Sequence, residues 1–119
     1  MVIMNIKGKY DLLWTYTGGA TFNAQTIRLS LSDYPLIGIQ VVNDKNDSGV
    51  YQYNIVAVDG TKYTISVINP DGYMRIKRRA CTATATGVTF GEGYDGSSWD
   101  NHSVINTFCI PLKIYGIKI

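Results

Sequence analysis

The sequence predicts an all-β fold: an antiparallel β-sandwich of jelly-roll-like order, formed as one domain over residues 1–119. Three observations carry that expectation. Apolar residues recur at period two and not at helical spacing. Turn signatures punctuate the chain at intervals of about ten residues. Composition favours strands, with Tyr nine times and Gly twelve, many Thr, Ile and Val residues, and single copies of Glu (Glu92) and His (His102). Hydrophobic content of 45% against 17% charged argues against disorder. A chain of 119 residues can bury a core without staples.

Taken in order, Tyr10 to Thr17 reads as a first strand closed by Gly18-Gly19. Thr26 to Leu31 alternates, with Ile27, Leu29 and Leu31 on one face and Thr26, Arg28 and Ser30 on the other. Ser32-Asp33-Tyr34-Pro35 is a turn, and Leu36 to Val42, almost wholly apolar, is a central strand. Asn43 to Gly49 is a polar loop. Val50 to Val58 and Lys62 to Ile68 flank Asp59-Gly60, a hairpin signal. Asn69-Pro70-Asp71-Gly72 is a second such turn leading into Tyr73 to Ala80, which completes a three-strand meander. In CTATATGVTF the apolar set changes parity at Gly87, where a β-bulge would reset it. Glu92 to Ser103 reads as a long loop. Val104 to Ile119 supplies one long or two short closing strands, with Pro111 as the candidate break. In the closing segment, Gly116 marks a place where backbone or a neighbouring ring approaches closely.

Charge and cysteine content narrow the function. A net charge of +2 is too small to argue for nucleic acid or an anionic membrane. Cys81 and Cys109 read as reduced, buried thiols, and with one distant His they lack metal-ligand spacing. No stretch has signal-peptide or membrane-spanning character, so synthesis inside a cell without export and no membrane insertion are expected. No cofactor motif is present: Gly91-Glu92-Gly93 follows no βαβ pattern. His102 has no triad partner in sequence and no nucleophile elbow occurs, so the chain reads as a non-enzyme.

Two stretches invite a functional reading. On a strand, Arg75, Lys77 and Arg79 share one face with Tyr73, while Met74, Ile76 and Arg78 share the other. They form either a patch for an anionic partner or a solvated face that blunts a sheet edge. The second reading is preferred, because no matching basic surface occurs elsewhere. In Gly91 to His102, Tyr94 and Trp99 sit among Asp95, Asp100 and Asn101. Aromatic rings beside such groups suit sugars, whose C–H faces stack while hydroxyls seek paired hydrogen bonds. The alternatives are that Trp99 caps the sandwich or meets another subunit.

The closing segment Ile110-Pro111-Leu112-Lys113-Ile114-Tyr115-Gly116-Ile117-Lys118 resembles the P-x-x-I-Y-G-I-K ending of small tail-associated proteins and tail-fibre C-terminal domains. These come from phages and prophages of Gram-positive bacteria. Leu13-Trp14, Phe22 and the run Gln25-Thr26-Ile27-Arg28-Leu29-Ser30-Leu31-Ser32-Asp33-Tyr34 look like that family's opening. The resemblance implies a β-rich, commonly trimeric virion component at a tail tip, fibre end or head surface, made in the bacterial host cytoplasm. It transfers no binding residue. The expectation is therefore a virion protein that binds a host cell-surface glycan, contacts other virion proteins and forms a homo-oligomer, with a trimer favoured. The ligand contacts expected are Trp99, Tyr94, Asp95, Asp100 and Asn101, with no cofactor and no metal. The alternatives are a purely structural virion part and a lectin-like module unrelated to phage.

Overall fold

The computed structural model describes residues 9–45, 49–69, 75–96 and 103–118. Eight strands follow in chain order: β1 Tyr10–Thr15, β2 Gln25–Arg28, β3 Leu36–Asp44, β4 Tyr51–Ala57, β5 Lys62–Ile68, β6 Ile76–Thr84, β7 Gly87–Asp95 and β8 Phe108–Ile117. They form two four-stranded antiparallel sheets, ordered β1-β8-β3-β4 and β2-β7-β6-β5, packed as a sandwich. β1 lies against β8 and β2 against β7, the outer nested pairs of a jelly roll. Inside them β3 pairs with β4, and β5, β6 and β7 pair in succession.

The core is what period two predicts. Ile37, Ile39, Val41 and Ile114 from the first sheet meet Ile65, Val67, Cys81, Ala83, Val88 and Phe90 from the second, all buried. Phe22 and Leu31, from the connections around β2, plug the space between the sheets. Phe22 meets Phe90 edge-on with centroids 5.5 Å apart, and meets Tyr16 at 5.2 Å. Edge-to-face geometry is the favoured one for such rings. The strand expected over Thr26 to Leu31 ends at Arg28, but the expected alternation of burial runs on beyond it, with Ile27 and Leu29 half-buried and Leu31 fully so.

Four features differ from the sequence reading. The Asp59-Gly60 turn has the expected chemistry. Gly60 has φ +77°, and the Asp59 carboxylate accepts from the Thr61 amide at 2.9 Å. Yet it carries the chain from one sheet to the other, so β4 and β5 are no hairpin and no meander begins there. Side chains replace the ladder: Asn54 exchanges two hydrogen bonds with the Ser66 backbone, at 2.9 and 3.2 Å, and the Ile68 amide donates to Gln52 at 3.2 Å. Carboxamides on β4 thus occupy backbone groups of β5 that would otherwise form an open edge.

Secondly, the parity change at Gly87 is a hairpin and not a bulge. Thr84 pairs with Gly87 across the two-residue turn Ala85-Thr86, which carries none of the usual turn residues. Gly87 is needed because a Cβ there would lie 2.5 Å from the Ile27 carbonyl oxygen. The irregularity in this pair lies further on, where Arg79 pairs with Gly93 but Cys81 with Phe90. Thirdly, Glu92 to Asp95 belongs to β7 and not to a loop. Fourthly, β6 is an interior strand whose Arg79 and Lys77 face the inside of the sandwich, at 0% and 8% exposure. Lys77 and Arg79 do share a face, and it is the buried one, whereas Arg75 is exposed before β6 begins and Tyr73 and Met74 lie outside the described residues. The expected second turn at Pro70-Asp71-Gly72 lies outside the described residues, although β5 and β6 pair on either side of it.

β8 is one strand held between β1 and β3. Pro111 is absorbed by a register shift between Gln40 and Val41, a bulge at which the missing N–H does no harm. Near its end a Cβ on Gly116 would lie 2.5 Å from the Tyr34 ring, the close approach that the sequence suggested. Tyr34 is pinned there, since its hydroxyl donates to Asp11 at 2.6 Å.

Gly116→Ala should therefore cost about 1–3 kcal/mol through overpacking, and lower Tm by roughly 5 °C. Thermal unfolding by circular dichroism checks this. An unchanged Tm would mean that the ring moves aside freely.

Candidate functional site

Antiparallel pairing sends alternate connections to the same end of the sandwich. The links after β1, β3, β5 and β7 gather at one end, while Lys9 and Lys118, joined by a 2.7 Å backbone hydrogen bond, lie at the other. Loops clustered at one end of a rigid scaffold are where binding residues collect.

The bases of these connections are tied. Asn43 and Val50 exchange backbone and side-chain hydrogen bonds at 3.0 and 2.9 Å. The Asn69 amide donates to the Arg75 carbonyl at 2.8 Å. Tyr94 and Val104 form an isolated antiparallel bridge, beside which the Ile105 amide donates to the Gly93 carbonyl at 2.8 Å. Asn106 secures the remaining connection. Its carbonyl accepts from the Phe22 amide at 2.9 Å, while its side chain reaches Gly93, Asn23 and Glu92.

Beneath these bases lies Arg79, fully buried. Its guanidinium donates to four backbone carbonyls: Phe22 and Gly91 at 2.8 Å, Phe108 at 2.9 Å and Cys109 at 3.0 Å. It also stands 5.1 Å from the centre of the Phe22 ring. Burial pulls its pKa below the ordinary guanidinium value, with Cys109, Glu92 and Tyr16 acting in opposition. It remains charged at any physiological pH.

Strand β6 thus grades from apolar to polar along its inward face: Ala83, Cys81, Arg79, Lys77. The four buried polar or charged residues among those described are Asn43, Asn69, Lys77 and Arg79, and all belong to this end. The Lys77 ammonium rests 4.1 Å from the centre of the Phe108 ring.

Of the expected ligand contacts, Tyr94 and Asp95 are described. Trp99, Asp100 and Asn101 lie outside the described residues. Strand alternation sends the two described side chains to opposite faces. Tyr94 faces outward opposite Arg78, whose guanidinium carbon is 4.8 Å from its ring centre. Asp95 is registered opposite Lys77 and takes the inward side. The sequence reading set Lys77 on a solvated basic face and Asn69 in a turn, whereas the structure buries both. The signal for Lys77 was its shared parity with Cys81 and Ala83, which a basic residue disguises.

The exteriors of the two sheets differ. The outside of β1-β8-β3-β4 carries Tyr10, Tyr53 and Tyr115 in ring contact at 5.7 and 6.3 Å, with Leu12, Ile55 and Tyr51 well exposed beside them. The outside of β2-β7-β6-β5 is polar, with Thr26, Thr89 and Thr82 in register and a 2.9 Å hydrogen bond between the first two. At the end opposite the site, Arg28, Leu29, Ser30, Ala85 and Thr86 line a shallow, open depression of about 370 Å³ with no aromatic ring.

Among the described residues no three His, Cys, Asp or Glu side chains gather as a metal site. Cys81 and Cys109 are free, and burial pushes both thiols up to about 12. A thiol so placed is not a nucleophile at neutral pH. Comparison with protein-family models, with characterised proteins and with solved structures finds no match to this chain.

The raised thiols set a pH dependence. The unfolded chain releases these protons from about pH 8.5, whereas the folded chain holds them to about 12. Stability is therefore full below about pH 8.5 and falls as pH rises from there. Tyr34, Tyr53 and Tyr63, also raised, act in the same direction. Melting temperature followed from neutral to alkaline pH should fall, and less steeply in a Cys81→Ala/Cys109→Ala double variant. A thiol reagent should label neither cysteine at neutral pH until the chain unfolds. Labelling of the native protein would contradict the burial.

Proposed function

We propose that the chain is a non-catalytic virion component that attaches to a host cell-surface glycan through the loop-bearing end of its sandwich. The observation that supports this most is that end itself. The connections after β1 and β7 are tied to each other at their bases, and Arg79 holds Phe22 and Phe108 beside them, so described residues there such as Tyr94 stand on a fixed base before binding. Tyr94, with Arg78 against its ring, offers a stacking surface at that end, and Asp95 an acceptor on the inward side of the same strand. The resemblance of the closing and opening segments to tail-associated proteins supports a place in the virion, with synthesis in the host cytoplasm.

The exposed tyrosine and aliphatic exterior of β1-β8-β3-β4 supports the assembly half of the proposal. Tyrosine is enriched at interfaces, and monomers seldom leave such residues grouped in water. A homo-oligomer packed through this face, with a trimer favoured, presents several weak sites together and gains avidity. Other virion proteins are the further partners.

Tyr94→Ala should weaken cell-surface binding about tenfold per folded molecule with little change in Tm. Leu12→Lys, at a position 53% exposed, should change stability by no more than about 0.5 kcal/mol while lowering the oligomeric state. Binding to host cells and multi-angle light scattering measure these. Binding untouched by Tyr94→Ala would remove this end from the ligand site. A monomeric parent protein at about 50 µM would remove the assembly role.

A further inference from the structure

We propose that the open edge of β4 pairs antiparallel with β4 of a second copy, across a two-fold axis at Tyr53, so that two four-stranded sheets become one. This goes beyond the packing of the sheet exterior proposed above, since it uses the border of the sheet opposite β1 and Leu12. β4 and β3 stay in register from Leu36↔Ala57 to Val42↔Tyr51. Just beyond the two ends of that ladder, the Asn43 amide donates to the Val50 carbonyl and the Val58 amide to the Pro35 carbonyl. In an antiparallel ladder such hydrogen-bonded pairs alternate with pairs that turn their amides and carbonyls away. Gln52, Asn54 and Val56 therefore bond to β3. The backbone groups of Tyr51, Tyr53, Ile55 and Ala57 point to the free edge, where no described strand meets them.

Sheet proteins normally blunt such an edge with charge, proline, a bulge or a cover. The other three edges of this sandwich are blunted. β1 is broken by a register shift between Leu12 and Trp14, and β2 has only four residues and carries Arg28. β5 bears Lys62 and is capped by the carboxamides of Asn54 and Gln52. β4, YQYNIVA, runs for seven residues with no charge, no proline, no glycine and no register shift. Two of its side chains are exposed apolar ones, Tyr51 at 59% and Ile55 at 39%.

The occupant follows from the strand's own sequence, which complements itself. Pairing about Tyr53 sets Tyr51 of each copy opposite Ile55 of the other, Tyr53 opposite Tyr53, and Gln52 opposite Asn54. Aromatic and β-branched side chains facing each other across a sheet attract, and no like charges meet. The residues whose backbone is free are the ones this register aligns, each such pair exchanging two hydrogen bonds. Centring the pair on Asn54 instead would set Gln52 against Val56 and leave Tyr51 facing Ala57. A two-fold contact needs the same patch on both copies, and this edge supplies it.

The test is register-specific cross-linking of the full chain. Directly opposite residues of a hydrogen-bonded pair lie about 5.5 Å apart at Cα, within the span of a disulfide. Cys81 and Cys109 are buried and do not compete. Under oxidised glutathione, Tyr53→Cys should therefore run mostly as a linked dimer on a non-reducing gel. The Tyr51→Cys/Ile55→Cys double variant should link likewise, and neither of its single variants should. Light scattering of the parent at about 50 µM should report an even number of chains. Ile55→Lys, which sets a charge on the edge, should halve that number with an unchanged circular dichroism spectrum. Leu12→Lys, added to Tyr53→Cys, should leave the link intact. Failure of either expected link, a link in either single variant, or a trimeric parent overturns the edge contact while leaving packing through the exterior standing. A monomeric parent overturns both.

Discussion

A guanidinium buried without a carboxylate is the constraint around which this fold is arranged. Taking a charge out of water is costly unless its donors find partners, and Arg79 makes four hydrogen bonds to backbone carbonyls from its five N–H groups. Those carbonyls come from the segment after β1, from β7 and from β8, so one side chain of β6 joins four parts of the chain. Neighbouring features follow from this requirement. Successive carbonyls in a regular strand point in opposite directions, yet Phe108 and Cys109 both accept from Arg79. Cys109 makes this geometry by adopting φ +51°, a conformation that costs a non-glycine residue about 1–3 kcal/mol. Gly93 is fixed as well. A Cβ there would meet the Ile105 carbonyl oxygen, and would lie 2.8 Å from that of Phe108 and 2.9 Å from the guanidinium itself. The irregular pairing between Arg79 and Cys81 accommodates the same crowding.

The function proposed for the loop-bearing end depends on this arrangement. A sandwich core can be apolar to its rim, leaving connections free to move above it. Here the core becomes polar before the rim is reached. The connection after β1 and the start of β8 are joined to Arg79, and the connections after β1 and β7 to each other. Those after β3 and β5 are each closed by hydrogen bonds at their own bases. Asn106 repeats the device on a smaller scale, with one carboxamide bridging Gly93, Asn23 and Glu92. Lys77 and Asn69 then stand one step above the satisfied charge, where polar groups are buried but not all paired.

The strand content was legible because strands such as β5 and β6 half-bury themselves and so alternate, while β3, buried on both faces, stands out as an apolar run. β5 runs from Lys62 to Ile68, the bounds that alternation suggested. The site was less legible, for three physical reasons. Glycines in Gly91-Glu92-Gly93 look like loop residues, whereas Gly93 serves the approach of backbone to Arg79. Basic residues in a strand look solvent-facing, and nothing local announces four carbonyls gathered from distant segments. The turn Ala85-Thr86 has no glycine, proline or asparagine to mark it, so the hairpin passed for a bulge. Conversely, Asp59-Gly60 gave a correct turn, but a dipeptide cannot say whether the next strand stays in the same sheet. In each case the missing information was long-range.

The central claim is that Arg79 holds the loop-bearing end together through those carbonyls. Replacing it by Met keeps the volume and removes the charge, but leaves the four acceptors unpaired at about 1–3 kcal/mol each, against a typical total stability of about 5–15 kcal/mol. Arg78→Met, one residue away and facing outward against Tyr94, removes the same chemistry at a cost below about 1 kcal/mol. Urea denaturation of the two variants beside the parent is the direct comparison. Arg79→Met should be unfolded or barely folded in the absence of denaturant, with Arg78→Met close to the parent midpoint. An Arg79→Met protein that unfolds at the parent midpoint with an unchanged slope would contradict the account.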